Sequence, residues 1–365
     1  MACSTSSPST CARPRSRRRV GADRTPVSEF DLIRRHFTRP APAGILGVGD
    51  DCALLPAMPG AWAVSTDLLL QGRHFFADVD PRALGHKALA VNLSDLAAMG
   101  AEPAGFVLGL GLPAVDEAWL AGFADGLHRL AERWRCPLVG GDTTRSDTGI
   151  TLSVTVFGRV DARRALRRDA ARDGDDIWVS GTLGEADVAL RLLLRARGQG
   201  LERSDELGRA LAGLDPQAAS RLLEQTRPRL DWPQPRIALG LALAGVAHAA
   251  IDLSDGLLQD LGHVVAASHC GALLDAPALP LAKPLAALGE RPAWQAALGG
   301  GDVYELCFTA PVAARARIAA MAGRLDLPLT RIGRMDAAVD GIGVRGSQGE
   351  LLDAATLPQG FDHFR

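Results

Sequence analysis

The sequence predicts a two-domain protein of mixed α/β (α+β) class. Its 365 residues, 47% of them hydrophobic, suffice for two separate cores. From Phe30 onward, short strand-like runs alternate with longer helical ones. Acid-bearing segments of Gly, Ser and Thr follow several of the apolar runs.

The elements follow in order. Trp62 to Ser65 reads as a strand that delivers Thr66 and Asp67 at its end. Leu84, Ala88, Val91, Asp95 and Ala98 keep helical spacing, which sets Asp95 on an otherwise apolar stripe. Leu138-Val139 leads into Gly140-Gly141-Asp142, and Thr151 to Val160 alternates like a half-buried strand beside a sheet partner or a second subunit. Basic residues crowd Arg163 to Arg172, and the domain boundary is placed near residue 160, giving domains of 27–160 and 161–365. Asp176 to Ser180 is a further strand, followed by a helix from about Glu185 to Arg195. Arg227 to Arg236, with Pro228, Pro233 and Pro235, reads as a rigid loop. Ala249 to Ile251 runs into Asp252-Leu-Ser254-Asp255-Gly256, where Ser254 or Asp255 would cap a helix from Leu257 to Ala267. Gly299 to Glu305 reads as a flexible turn entering the strand Leu306 to Thr309. Met1 to about Pro26 is rich in Ser and Arg, with no acid before Asp23, and reads as a disordered tail or an early start codon rather than an organelle transit peptide.

Composition narrows the function. Forty basic and 42 acidic side chains give no electrostatic footprint for nucleic acid or an anionic membrane, so a small molecule is the expected partner. The six cysteines show neither a C-x-x-C pair nor zinc-like spacing and read as reduced thiols of a cytoplasmic protein. The apolar runs are shorter than the roughly 18 residues a membrane span needs.

Five acidic segments carry the chemistry: Gly47-Val-Gly-Asp50-Asp51, Ser65-Thr66-Asp67, Asn92-Leu-Ser94-Asp95, Gly140-Gly141-Asp142 and Asp252-Leu-Ser254-Asp255. Each alone reads as turn chemistry, but carboxylates gathered in one place repel and resist desolvation unless hard cations such as Mg²⁺ lie between them. A P-loop and the kinase catalytic motifs are both missing, and the chain has only two lysines, Lys87 and Lys283. A bound polyphosphate would therefore be met by metals, Arg side chains and backbone amides. Two like unit charges about 4 Å apart repel by about 4 kcal/mol at an effective dielectric of 20, a cost that several Mg²⁺ ions would remove.

In this order the segments resemble the thiamine-monophosphate kinase family. The resemblance runs from about Glu29 to Phe364, through residues 47–53, 65–67, 87–101, 140–145, 179–184 and 251–257 and the closing Gly360-Phe-Asp-His-Phe364. It implies the fold of the aminoimidazole ribonucleotide synthetase superfamily: an N-terminal α/β domain whose sheet pairs with its mate's into a dimeric β-barrel, and a C-terminal α/β domain. It implies a homodimer using ATP and several Mg²⁺ ions. By the family pattern, Asp51, Ser65, Thr66, Asp67, Asp95, Asp142, Asp252 and Asp255 hold the metals, Gly141, Arg168 and Ser254 contact ATP, and His74, Asp302 and Phe361 hold thiamine monophosphate. The implied reaction is direct in-line transfer of the ATP γ-phosphoryl group to the substrate phosphate, which is already largely ionised near neutral pH and needs no catalytic base.

One departure bears on the site. Family members carry Gly-Gly-Glu-Asp-Tyr where this chain has Gly300-Gly301-Asp302-Val303-Tyr304. The alternatives are another ATP-using member of the superfamily, a metal-dependent phosphohydrolase in which the acids activate water, and a catalytically silent metal-binding protein.

Overall fold

A computed structural model of the chain describes residues 32–45, 55, 59–199, 205–358 and 360. The expected N-terminal tail, Asp51 and Phe361 lie outside these residues.

Strand β1 (Ala61–Leu70) leads to helix α1 (Pro81–Ala98), which Asp80 caps by accepting from the Arg82 amide at 2.9 Å. Strand β2 (Glu102–Leu112), helix α2 (Glu117–Trp134) and strand β3 (Leu138–Arg145) form a parallel crossover unit, and β4 (Thr151–Val160) follows. The sheet order is β1-β4-β2-β3, and among the described residues no barrel closes. The alternation expected for Thr151 to Val160 is present, with Leu152, Val154 and Val156 facing the core.

Two of the acidic segments are not loops. Thr66 and Asp67 lie inside β1, which runs five residues past Ser65, and Gly140-Gly141-Asp142 lies inside β3. Pairing along the ladders, Asp67 with Val154 and Asp142 with Gly109, extends both strands through Asp and Gly residues of low β-propensity.

The C-terminal part continues with β5 (Asp176–Ser180), α3 (Glu185–Ala196), α4 (Glu206–Gly213), α5 (Pro216–Asp231), α6 (Ile237–Leu243) and β6 (Ala249–Asp252). Then come α7 (Leu257–Ser268), β7 (Ala272–Asp275), α8 (Glu290–Gly299), β8 (Leu306–Ala310), α9 (Arg315–Leu325), β9 (Leu329–Met335) and β10 (Ile342–Arg345). The second sheet has the order β10-β7-β9-β5-β8-β6.

The rigid loop expected over Arg227 to Arg236 is half helix, because α5 runs through Pro228 to Asp231. Only the last turn lies beyond that proline, and Arg229 in that turn is tied to buried Glu305. Arg227 and Asp231 add an ion pair one turn apart at 2.7 Å. The segment read as a turn into a strand, Gly299 to Glu305, leads from the end of α8 into β8.

Helix α1 is buried on all sides; only Pro81, Arg82 and Asp95 are not. It is the seam of the molecule, since one hydrophobic core runs from Leu84, Leu89 and Leu93 of α1 through Phe106 and Phe123 to Ile237, Leu306 and Phe308. Small residues permit this. A β-carbon on Gly85 would stand 2.0 Å from the Phe123 carbonyl oxygen, and one on Gly126 would stand 1.9 Å from that of Arg82. The α1 and α2 backbones therefore touch directly. Replacing Gly126 by Ala should destabilise the protein by about 3 kcal/mol in urea unfolding, the upper range for overpacking. Gly323→Ala on α9, where a β-carbon would meet nothing within 4 Å, should instead stabilise it by about 0.5–1 kcal/mol.

Candidate active site

Strand alternation decides which side chains of β1 face α1. Ser65 and Asp67 turn toward the helix, where the Ser65 hydroxyl donates to Asp95 Oδ2 at 2.6 Å. The Asp67 amide donates to Asn92 Oδ1 at 3.2 Å, and Asn92 Nδ2 donates back to the Ala88 carbonyl at 3.1 Å, so Asn92 fixes the strand against the helix. Thr66 turns to the opposite face, its hydroxyl 2.8 Å from that of Thr155.

The second contribution comes from the end of β6. Asp252 is its last residue, and the following loop is stapled by backbone bonds: Asp302 N to Ser254 O at 2.8 Å, Tyr304 N to Leu253 O at 2.8 Å, and Leu253 N to Glu305 O at 2.9 Å. Asp302 and Tyr304 adopt left-handed φ of 61° and 53° to make this fit. Glu305 is fully buried and anchored by Arg229, Arg236 and the Ser180 hydroxyl. The expected cap by Ser254 or Asp255 is not formed. Gly256 occupies the cap position, and Asp260 in the first turn reaches back to accept from the Asp255 and Gly256 amides, each at 3.1 Å.

Asp67, Asp95, Asp252, Asp255 and Asp260 thus converge from two domains, and their electrostatics record it. Burial pushes the Asp67 carboxyl up to about 7, with the charges of Asp95 and Asp255 adding to it. Burial raises Asp95 too, countered by the Ser65 hydroxyl and the positive charge of Arg168. Asp252 is raised well above the usual carboxylate range by burial and by Asp95, Asp260 and Asp67. Asp260 is pushed up to about 7, chiefly by burial.

This donor set is hard oxygen throughout and carries charge that the protein alone does not neutralise, which suits Mg²⁺. Among the described residues no three His, Cys, Asp or Glu side chains close to the spacing of an ion site. The residues fit the cation chemically, and the set as described is an acidic patch rather than a finished cage.

Two clefts flank the patch. One of about 430 Å³ is lined by Ser65, Asp95 and Arg168. The other, of about 550 Å³, is lined by His74, Phe75, Phe76, Lys87 and Asp302. His74 sits just past β1, its Nδ1 accepting from the Leu70 amide at 3.0 Å, which leaves the ring proton on Nε2. Tyr304 lies between the second cleft and the patch: its hydroxyl donates to Asp302 Oδ1 at 3.1 Å, and its pKa is raised by burial and by the charges of Asp302, Asp67 and Asp252. Val303 is buried in the core of the C-terminal part and does not line the cleft.

The structure therefore groups Ser65, Asp67, Asp95, Asp252 and Asp255 with Arg168 nearby, and His74 with Asp302. It does not bring Thr66 to the same face, nor Gly141 and Asp142 to the same edge. They lie on β3, at the far side of the sheet from β1, where the Gly141 α-carbon packs so tightly on β2 that a β-carbon would stand 2.0 Å from the Leu108 carbonyl oxygen. Sequence reasoning gave no site role to Asn92, Asp260 or Tyr304. An acid in a first helical turn marks Asp260, and Tyr304 is the single tyrosine of the chain.

Residues 49–160 match the family model for the N-terminal domain of AIR synthase related proteins, and residues 172–344 match that for the C-terminal domain. Thiamine-monophosphate kinase of Salmonella typhimurium is 44% identical over 342 residues, 92% of this chain and 98% of that protein. The chain belongs to the thiamine-monophosphate kinase family. A crystal structure of the Stenotrophomonas maltophilia thiamine-monophosphate kinase superposes with a TM-score of 0.72 at 48% identity, covering 84% of this chain and 92% of that one. AaThiL complexed with AMPPCP and TMP superposes with a TM-score of 0.65 at 31% identity, covering 83% and 87%. The two-domain fold of AIR synthase related proteins is thereby established for this thiamine-monophosphate kinase family member.

The raised carboxyls have a consequence for stability. Asp67 titrates near 7 when folded and near 3.8 when unfolded. The folded state thus holds the extra proton between these values, and stability falls as pH rises from about 4 to about 7. In metal-free buffer, Asp67→Asn should melt with the parent protein below pH 4 and at a higher temperature above pH 7. Thermal unfolding across this range, with and without Mg²⁺, measures the difference, and Mg²⁺ should stabilise the parent most above pH 7.

Proposed function

We propose that the chain phosphorylates thiamine monophosphate to thiamine diphosphate with ATP, as expected of a phosphotransferase of this family. The observation that carries this reading is the acidic patch of Asp67, Asp95, Asp252 and Asp255 set between two clefts, one with Arg168 and one with His74 and Asp302. AaThiL, similar over most of the chain, has been solved with AMPPCP, an ATP analogue, and TMP together.

In this reading the first cleft takes ATP, with Arg168 and Ser254 toward its phosphates, and the second takes thiamine monophosphate. Asp51, Ser65, Asp67, Asp95, Asp252 and Asp255 hold several Mg²⁺ ions, which supply positive charge between the two anionic substrates. Ser65 and Asn92 hold Asp95 and β1 in place, and the stapled loop after β6 does the same for Asp255. Transfer is direct and in line, because the acceptor phosphate is its own nucleophile, and no side chain becomes phosphorylated.

We assign the protein as a homodimer. β1 is an edge strand whose outer face exposes Trp62, Val64, Leu68 and Leu70, a row of apolar side chains that a second copy would cover. Asp67 and Asp142 stand on opposite edge strands of one sheet, about 14 Å apart at the usual strand spacing. A closed eight-stranded barrel of two sheets would bring the partner's Asp142 and the partner's Gly141 beside β1, completing the site across the interface.

Incubation with Mg²⁺, ATP and thiamine monophosphate should yield thiamine diphosphate and ADP one to one, with no product from free thiamine; ADP with phosphate but no thiamine diphosphate would mean hydrolysis. Asp95→Asn should lower kcat by about 10² or more. Asp67→Asn and Asp142→Asn proteins should each be inactive, yet regain about a quarter of wild-type activity after subunit exchange, since half the dimers then contain one intact site. No recovery on exchange would place both residues in one protomer's site.

A further inference from the structure

Lys87 is one of two lysines in the chain, and it is 5% exposed. It stands on α1 eight residues before Asp95, on the same side of the helix and about 12 Å along its axis. Its Nζ lies 3.0 Å from Asp302 Oδ1, the same oxygen that accepts from the Tyr304 hydroxyl. Lys87 therefore sits where the second cleft meets the acidic patch.

A buried ammonium is costly unless paired, and here its partner is a carboxylate that keeps 28% of its side-chain surface open. Arg73 and Arg197 also line the cleft, and Arg197 is engaged elsewhere: it binds both carboxylate oxygens of Asp78, at 2.6 and 2.8 Å, and stacks on the Phe76 ring 3.9 Å away. Together Lys87 and Asp302 present one positive and one negative group at the inner end of a cleft with aromatic walls. Thiamine monophosphate has the complementary pattern, a cationic thiazolium and an anionic phosphate.

We propose that Lys87 is the residue that recognises the acceptor's phosphate. Its ammonium exchanges Asp302 for the phosphate when substrate binds, and Asp302 is released toward the cationic ring. No bond is made or broken, and the pair's net charge stays zero throughout. The assignment rests on the functional reading above, and it gives the acceptor phosphate a side-chain partner besides metals, arginines and amides.

The test is calorimetric binding of thiamine monophosphate and of free thiamine, each with Mg²⁺ and without ATP. Wild type should prefer thiamine monophosphate. Lys87→Met, similar in length and apolar, should bind it roughly ten- to a hundredfold more weakly, the range for a lost charged hydrogen bond, with thiamine affinity unchanged within threefold. Asp302→Asn should shift the ratio the other way, weakening thiamine and leaving Lys87 free for the phosphate. This second variant keeps the test open if Lys87→Met fails to fold. An equal loss of both ligands in Lys87→Met would overturn the proposal by making Lys87 a prop for Asp302, and so would a preference for thiamine monophosphate that persists undiminished. Wild type binding neither ligand would instead overturn the functional reading on which the proposal stands.

Discussion

The whole arrangement depends on a helix covered on every face. α1 has β1 and β4 against one side, α2 against another, and α6 and β6 of the C-terminal part against a third. A helix so placed cannot use an exposed stripe to relieve misfit, so its neighbours approach through glycine: Gly85 and Gly126 at the α2 crossing, and Gly240 of α6, where a β-carbon would stand 2.0 Å from the Ala97 carbonyl oxygen. The same helix carries Lys87, Asn92 and Asp95. Packing that forbids it from shifting also fixes, along one rigid axis, the distance between the second cleft and the acidic patch.

Against this rigid frame stands an electrostatic tension. Four carboxylates, Asp67, Asp95, Asp252 and Asp260, are each pushed upward by burial, Asp67 also by the charges of Asp95 and Asp255 and Asp252 by those of Asp95, Asp260 and Asp67, so the protein without cations holds a destabilised group. The tension is tolerated because the surrounding backbone is independently secured. Glu305 is clamped by two arginines, and its carbonyl fixes the start of the loop that bears Asp255. A patch of this sign attracts cations and repels phosphates, so cations bound there would relieve the tension.

Much of the fold was legible in the sequence because period and punctuation agree locally. Thr151 to Val160 and Asp176 to Ser180 are strands with the predicted bounds, and the helices after Gly184 and Gly256 begin where expected. Three features were not legible. Ser-Thr-Asp and Gly-Gly-Asp look like loop chemistry, yet strand pairing overrides their weak local preference. Pro228 looks like a break, yet Glu305, 77 residues on, holds the turn beyond it through Arg229. A three-residue motif also gives no hint that its middle member, Thr66, points away from its neighbours until the strand is known to continue through it.

That parity in β1 bears on how this chain can change over evolutionary time. One face of the strand turns Ser65 and Asp67 toward the acidic patch, and the other presents Trp62, Val64, Leu68 and Leu70 outward. Adding or deleting a single residue within Ala61–Leu70 would interchange the two faces at a stroke, sending acids outward and apolar groups against α1. Substitutions in β1 can be sampled one at a time, but its length is frozen. Variation in the length of the chain is expected to collect in the connections between elements, where it changes no strand's facing.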